Sequence, residues 1–176
     1  MLAECVVLLA LDGSAPFVSD AAECAVKTAP ASTFKVPHAL IALETEGEQT
    51  MFWLNGDLAI SPVEQVDFIS RLVRGVLPVE RRHVDAVKAA FTMPPGAVTN
   101  ATGTHPFDLK WPAPLVVRAK TGNATVAGER VSWVVGHVEA GNRGWVFAAR
   151  VRGGSEIPGQ AGADLALRTL NARSPK

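Results

Sequence analysis

The sequence predicts an α+β fold, an antiparallel β-sheet flanked by helices, from three observations. Apolar runs that read as strands gather at the two ends of the chain, helical spacing fills the middle and follows the last strand, and the turns within each strand group are short. With 176 residues, 48% of them apolar, residues 1–176 are expected to form a single domain with an ample core.

The first element is a hairpin, Glu4 to Leu11 and Pro16 to Ser19, turning at Asp12-Gly13. Pro30 then ends whatever precedes it, and Val36, Ala39, Leu40 and Leu43 fall on the i, i+3, i+4, i+7 stripe of a helix packed on one side. Pro37 has no N–H and is tolerated only near a first turn, which pins the start of this helix between Ser32 and Phe34. A second helix begins at Ser61, with Pro62 at its first position and Glu64 completing a capping box, and ends at Gly75. A third runs from about Val79 to Phe91 and stops before the turn "MPPGA". Strands follow near Leu115 to Lys120, Arg130 to Val138 and Gly144 to Arg150, and a helix from about Gln160 to Ala172 closes the chain.

Two motifs carry possible chemistry. Ser32 and Lys35 lie at the N-terminus of the first helix, one turn apart on one face. Alone, the pair reads first as an N-cap and a solvated lysine: with eight serines and six lysines, Ser-x-x-Lys is expected by chance roughly 0.3 times. As a nucleophile, Ser32 needs a base to take its proton, and Lys35 serves only as a neutral amine. It also needs two backbone N–H groups facing the developing oxyanion, one of which a helix N-terminus supplies at Ser32 itself. The second motif, Lys120-Thr121-Gly122, ends a strand 85 residues after Lys35 (120 − 35). Its lysine can hold an anionic substrate, Thr121 offers a hydroxyl, and Gly122 allows close approach to the strand. Ser-x-x-Lys followed by Lys-Thr-Gly is a signature of penicillin-binding proteins and class A β-lactamases.

Beyond the signature, "PASTFKVPHALIALET", "FWLNGDLAISPVEQVDFISRLVRGVLPV", "AKTG" and "VSWVVGHVE" resemble, segment by segment, the class D β-lactamases (oxacillinases) and the related sensor domains of β-lactam receptors. The resemblance implies a β-lactamase/transpeptidase-like fold. It implies that Ser32 is the acylated nucleophile, and that Lys35 takes up carbon dioxide as a carbamate and acts as general base. Trp53 would hold that carbamate, Lys120 and Thr121 would anchor substrate, and the Asn123 N–H would be the second oxyanion donor. No other cofactor and no metal is implied; the ligand is a β-lactam or a peptidoglycan-like small molecule.

The departures from the family pattern also matter. Relatives carry an all-helical domain, with Ser-x-Val and Tyr-Gly-Asn motifs, between the serine helix and the Phe-Trp segment. Here "ETEGEQT", Glu44 to Thr50, joins the two directly, and the chain contains no tyrosine. Ser61 and Ser132 do begin Ser-x-Val triplets, but one caps a helix and the other lies mid-strand. Gln160 stands about where relatives place a carboxylate-gripping arginine, with Arg152 and Arg168 as conceivable substitutes. Loss of the helical domain would bare apolar faces of the first two helices, so self-association is expected.

A formal charge of zero argues against nucleic acid or an anionic membrane as partner, and no apolar run approaches a membrane span. His38, His83, His105 and His137 lack metal-ligand spacing, and Trp111, Trp133 and Trp145 read as core. "MLAECVVLLALDG" lacks a basic segment and a small residue at Glu4, and so reads as a strand rather than a signal peptide. The expected location is periplasmic or secreted if the chain is exported behind a leader, and cytoplasmic otherwise. Cys5 and Cys24 would be a disulfide in the first case and buried thiols in the second. Two functions stay open: a class D-type enzyme with reduced activity, and a penicillin-binding sensor or impaired remnant that acylates or binds without turnover.

Overall fold

The computed structural model describes residues 2–45, 58–100, 103–112 and 114–173. Along these the elements are β1 (Ala3–Ala10), β2 (Phe17–Val18), α1 (Ala21–Ala25), a 3-10 turn (Ala31–Phe34), α2 (Lys35–Thr45), α3 (Pro62–Arg74) and α4 (Arg81–Ala90). They continue with β3 (Ala97–Asn100), β4 (Gly103–Pro106), β5 (Leu115–Val126), β6 (Glu129–Ala140), β7 (Arg143–Gly153) and α5 (Ala161–Ala172). β1, β2, β5, β6 and β7 form one antiparallel sheet in the order β2-β1-β7-β6-β5, while β3 and β4 pair as a separate hairpin.

Strand alternation divides the core in two. On the front face Val131, Trp133 and Val135 of β6 and Val7 of β1 meet Val36 and Leu40 of α2, Val66, Ile69 and Leu72 of α3, and Val84 and Val87 of α4. On the back face Val134, Val138, Phe147 and Ala149 meet Ala163, Leu165, Ala166 and Leu170 of α5, with Val98, Phe107 and Trp111. α5 sits directly on β6, because a Cβ at Gly162 would lie 2.8 Å from the Ser132 carbonyl oxygen. Ser132 is a fastener here: its hydroxyl donates to the Gly159 carbonyl at 2.9 Å and accepts from the Gly162 N–H at 3.0 Å.

Local chemistry fixes α3. The Ser61 hydroxyl accepts from the Glu64 N–H, the Glu64 carboxylate accepts from the Ser61 N–H at 2.9 Å, and Gly75 closes the helix in the left-handed conformation. Both serines of the Ser-x-Val triplets are thus structural. Residues 46–61 are all that separate α2 from α3, far short of the roughly 50 residues of the smallest domains, so a helical domain cannot be accommodated there. Cys5 and Cys24 are joined in a disulfide that ties α1 to β1.

Several expected bounds shift. β5 runs through Lys120-Thr121-Gly122 to Val126 instead of ending at the motif, because β6 supplies a partner for every residue to Glu129. The serine lies on a 3-10 turn leading into α2. α1 and the β3–β4 hairpin were not anticipated. No helix among the described residues is long and apolar enough to cross a membrane.

Candidate functional site

Ser32 and the Lys-Thr-Gly strand, far apart in sequence, are brought together by packing. A Cβ on Gly122 would stand 3.0 Å from the Pro30 carbonyl oxygen, the Thr33 N and the Thr33 Cγ2. The turn that carries Ser32 is therefore laid against the β5 backbone, in the gap the glycine leaves. This corrects the expectation for Gly122: the room on that side is filled by the chain's own turn, not kept for a ligand.

The turn is held from beneath. Thr33, fully buried, donates from its hydroxyl to the Pro30 carbonyl at 2.6 Å and accepts from Gln65 Nε2 of α3 at 2.9 Å. Ala31, also fully buried, has φ +49°, a conformation that costs a non-glycine residue about 1–2 kcal/mol and persists only where its surroundings enforce it.

Lys120 is half-buried on the front face, the same side as Gly122, and its Nζ donates to the Thr121 carbonyl at 2.7 Å. Burial first, and then the positive charge of Lys35, lower its pKa below the usual lysine value. The two lysines are thus close enough to repel, which ties Lys35 to the same site. Lys35 itself is exposed. The described residues do not enclose it as a buried carbamate would require; Trp53, the expected carbamate donor, lies outside the described residues.

Thr121 departs from expectation. Alternation places it opposite Val134, on the back face, and its buried hydroxyl approaches the Thr99 carbonyl of β3 at 3.5 Å. It does not share a face with Lys120. Asn123 also points its side chain backward, where Oδ1 is buried without a hydrogen-bond partner. Its backbone is better placed. The Met93 N–H bonds to the Val117 carbonyl and the Ala119 N–H bonds to the Phe91 carbonyl, so odd residues of β5 direct their backbone groups away from β6. The N–H groups of Thr121 and Asn123 follow the same period and face the outer edge of β5, on either side of Gly122, whose front face carries the Ser32 turn.

The proposed substitute arginines are engaged elsewhere. Arg152 pairs with Glu23 at 2.7 Å and Glu129 at 2.9 Å, and Arg168 with Glu4 at 3.6 Å. Gln160 precedes α5, on the back face. Among the described residues no group of three or more His, Cys, Asp or Glu could hold a metal ion. Trp133 is core, as expected, but its indole N–H also donates to the Ala29 carbonyl at 3.1 Å, and the buried Arg150 beside it donates to the Val26 carbonyl; nothing local in the sequence signals either bond.

Comparison with known proteins gives the frame a family. The β-lactamase OXA-48 of Klebsiella pneumoniae is 32% identical over 105 residues, covering 60% of this chain and 34% of that protein. The regulatory protein BlaR1 of Bacillus licheniformis is 25% identical over 123 residues, 69% of this chain and 18% of that one. The chain thus spans about a third of the length of the first relative and about a fifth of the second. Among solved structures, the class D β-lactamase YbXI from Nostoc superposes with a TM-score of 0.79 at 20% identity, covering 98% of this chain and 94% of that chain. The C-terminal domain of the B. licheniformis BlaR penicillin receptor superposes with a TM-score of 0.80 at 19% identity, covering 98% and 90%; at such identities the likeness speaks for the fold. Residues 43–171 match the penicillin binding protein transpeptidase domain, a span that begins after Ser32 and Lys35 but takes in Lys120-Thr121-Gly122. With that match covering most of the chain, on a sheet-and-helix frame its structural neighbours share, this chain belongs to the penicillin-binding protein transpeptidase domain family.

Proposed function

We propose that the chain reacts through Ser32 with penicillin-type β-lactams to form a covalent acyl adduct, which it hydrolyses slowly. The observation that carries this reading is the seating of the Ser32 turn on Gly122 of the Lys-Thr-Gly strand, with the charges of Lys35 and Lys120 interacting beside it. In the reaction Lys35, as the neutral amine, takes the Ser32 hydroxyl proton while Oγ attacks the lactam carbonyl. The oxyanion faces the N–H groups of Ser32 and Asn123. The C–N bond then breaks and the ring nitrogen takes, by way of solvent, the proton that Lys35 had accepted, which returns Lys35 to the neutral amine. Lys120 holds the substrate carboxylate. In the second half Lys35 takes a proton from water as it attacks the acyl carbon, the ester C–O bond breaks, and the proton passes from Lys35 to Ser32 Oγ as the acid leaves.

The serine that relays the proton to the leaving nitrogen in class D relatives belongs to the helical domain that this chain lacks. Removing a positioned proton relay costs about 10²–10⁴-fold in rate, so acylation is expected to be slow. Intact-mass measurement after long incubation with a penicillin tests the reading. One adduct on the peptide bearing Ser32, absent from Ser32→Ala, supports it. An adduct that persists in Ser32→Ala, or none on folded wild-type protein, overturns it.

The exposure of Lys35 favours a second reading, in which the adduct is stable and the domain acts as a penicillin sensor. No described residue encloses Lys35 or fixes it against a water for the second half-reaction. The lifetime of the adduct separates the two: free penicilloic acid in excess over protein marks an enzyme, while one persistent equivalent marks a sensor. Self-association is proposed through the apolar groove lined by Pro37, Ile41, Phe68, Leu77 and Val79, where Ile41 is half exposed. A monomer by light scattering at micromolar concentration would remove that proposal.

A further inference from the structure

The approach to Ser32 crosses the sheet along a single rung. Register pairs Gly122 of β5 with Trp133 of β6, Trp133 with Arg150 of β7, and Arg150 with Cys5 of β1. Residues paired across strands share a face, here the front one. Each of the four grips part of the segment from Glu23 to Thr33. Cys5 is bonded to Cys24. Arg150, fully buried, donates to the carbonyls of Val26 at 2.6 Å and Glu23 at 2.8 Å, and to the Glu23 carboxylate at 2.6 Å. Trp133, also fully buried and lying under the Arg150 guanidinium, donates to the Ala29 carbonyl at 3.1 Å. Gly122 receives Pro30 and Thr33.

We infer that this rung is the positioning element for Ser32, with Trp133 and Arg150 as positioning residues that fix the nucleophile turn without touching substrate. The physical need is on the same segment: Ala31 holds a left-handed φ next to the nucleophile, and such a conformation relaxes unless the chain on both sides is fastened. On the far side Thr33 is held by Gln65; on the near side the last fastener before the turn is the indole of Trp133. Arg150 in turn fixes Trp133 by stacking over it and fixes the chain two residues after Cys24.

The inference rests on the reading of Ser32 as nucleophile, and the structure provides a matched control. Trp111, buried on the back face, makes the same kind of bond, its indole N–H donating to the Leu170 carbonyl at 3.0 Å. Trp133→Phe and Trp111→Phe therefore each remove one indole-to-carbonyl bond, one beside the Ser32 turn and one away from it. The full chain and both variants are measured for the dissociation constant and the first-order acylation constant of a fluorescent penicillin, and for amide exchange across Ala29–Phe34. A misplaced nucleophile costs roughly tenfold to a hundredfold. In Trp133→Phe the acylation constant is expected to fall by that factor with the dissociation constant unchanged, and exchange across Ala29–Phe34 to accelerate; Trp111→Phe should show neither. Arg150→Lys, which retains a donor for the Val26 carbonyl, should recover part of the acylation lost in Arg150→Met. Equal slowing in both tryptophan variants, or wild-type acylation in Trp133→Phe, overturns the inference. If wild-type protein forms no adduct, the nucleophile reading fails, and exchange across Ala29–Phe34 still decides the rung: unchanged exchange in Trp133→Phe overturns it.

Discussion

The two faces of the sheet are closed by different means. On the back, α5 is laid on β6 through the close approach at Gly162 and a continuous apolar surface of Ala163, Leu165, Ala166 and Leu170 against Phe147 and Ala149. On the front, an apolar core of similar kind is supplemented by charge. Glu23 binds Arg150 and Arg152, and Glu139 binds Arg118 and His137. Apolar contact is non-directional and specifies that a helix is covered, but leaves it free to shift by fractions of an ångström. Hydrogen bonds to named carbonyls specify position; the back face has neutral ones, from Ser132 to Gly159 and from Trp111 to Leu170, whereas the front adds the charged donors of a buried arginine, Arg150. The face that carries Ser32 is the one where position matters.

The sharpest way to break this comparison is at Glu23. Its carboxylate is lowered below the usual range by the Arg152 hydrogen bond, against the opposing effect of burial, with help from Arg150. Arg150 is fully buried, so Glu23→Ala leaves a buried cation without its anion and should cost about 3–5 kcal/mol. Arg150→Met removes the cation while Arg152 still satisfies Glu23, and should cost less. Urea unfolding of both variants checks this; a reversed order would mean that packing, not charge pairing, closes the front face.

A smaller effect comes from pH. Burial pushes His137 down to about 4, with Arg118 and Lys88 acting in the same direction and Glu139 against. Between about 6.5 and 4 the unfolded chain binds a proton there that the folded chain refuses, so stability falls as pH drops through that window, by up to roughly 3 kcal/mol. His137→Gln should flatten this part of the pH–stability curve. An unchanged slope would show that the Arg118–His137–Glu139 group takes up the proton at no cost.

The smallest expected effect is at the start of α3. Ser61→Ala removes the capping hydroxyl and should cost about 1 kcal/mol, with acylation only slightly reduced, because Gln65, which holds Thr33 of the Ser32 turn, lies one turn further along α3. Thermal unfolding together with the adduct assay checks it.

What the sequence revealed follows the same division. The cap at Ser61, the stop at Gly75 and the turn at Asp12-Gly13 were legible because each is settled by residues within a few positions. The order of Ser32, Lys35 and Lys120 was legible as a motif. The facing of Thr121 was not, because it depends on β5 continuing past Gly122, and Lys-Thr-Gly-Asn has the composition of a strand's end. Nor was the partner of Gly122, which is set by how the turn docks. The rung itself is invisible in one dimension: positions 5, 122, 133 and 150 become neighbours only through register, and no local pattern marks Arg150 as buried. α1, with five residues, is too short for periodicity to reveal.

The strand order carries a consequence for the timing of assembly. β1, made first, has no partner but the two-residue β2 until β7 arrives between it and β6. Such long-range pairing is slow, because loop closure comes before any reward in contacts. During synthesis the chain therefore carries Ser32, Lys35 and Lys120 well before it can hold them in place. A nascent chain stopped short of Gly153 would contain every motif and have no site.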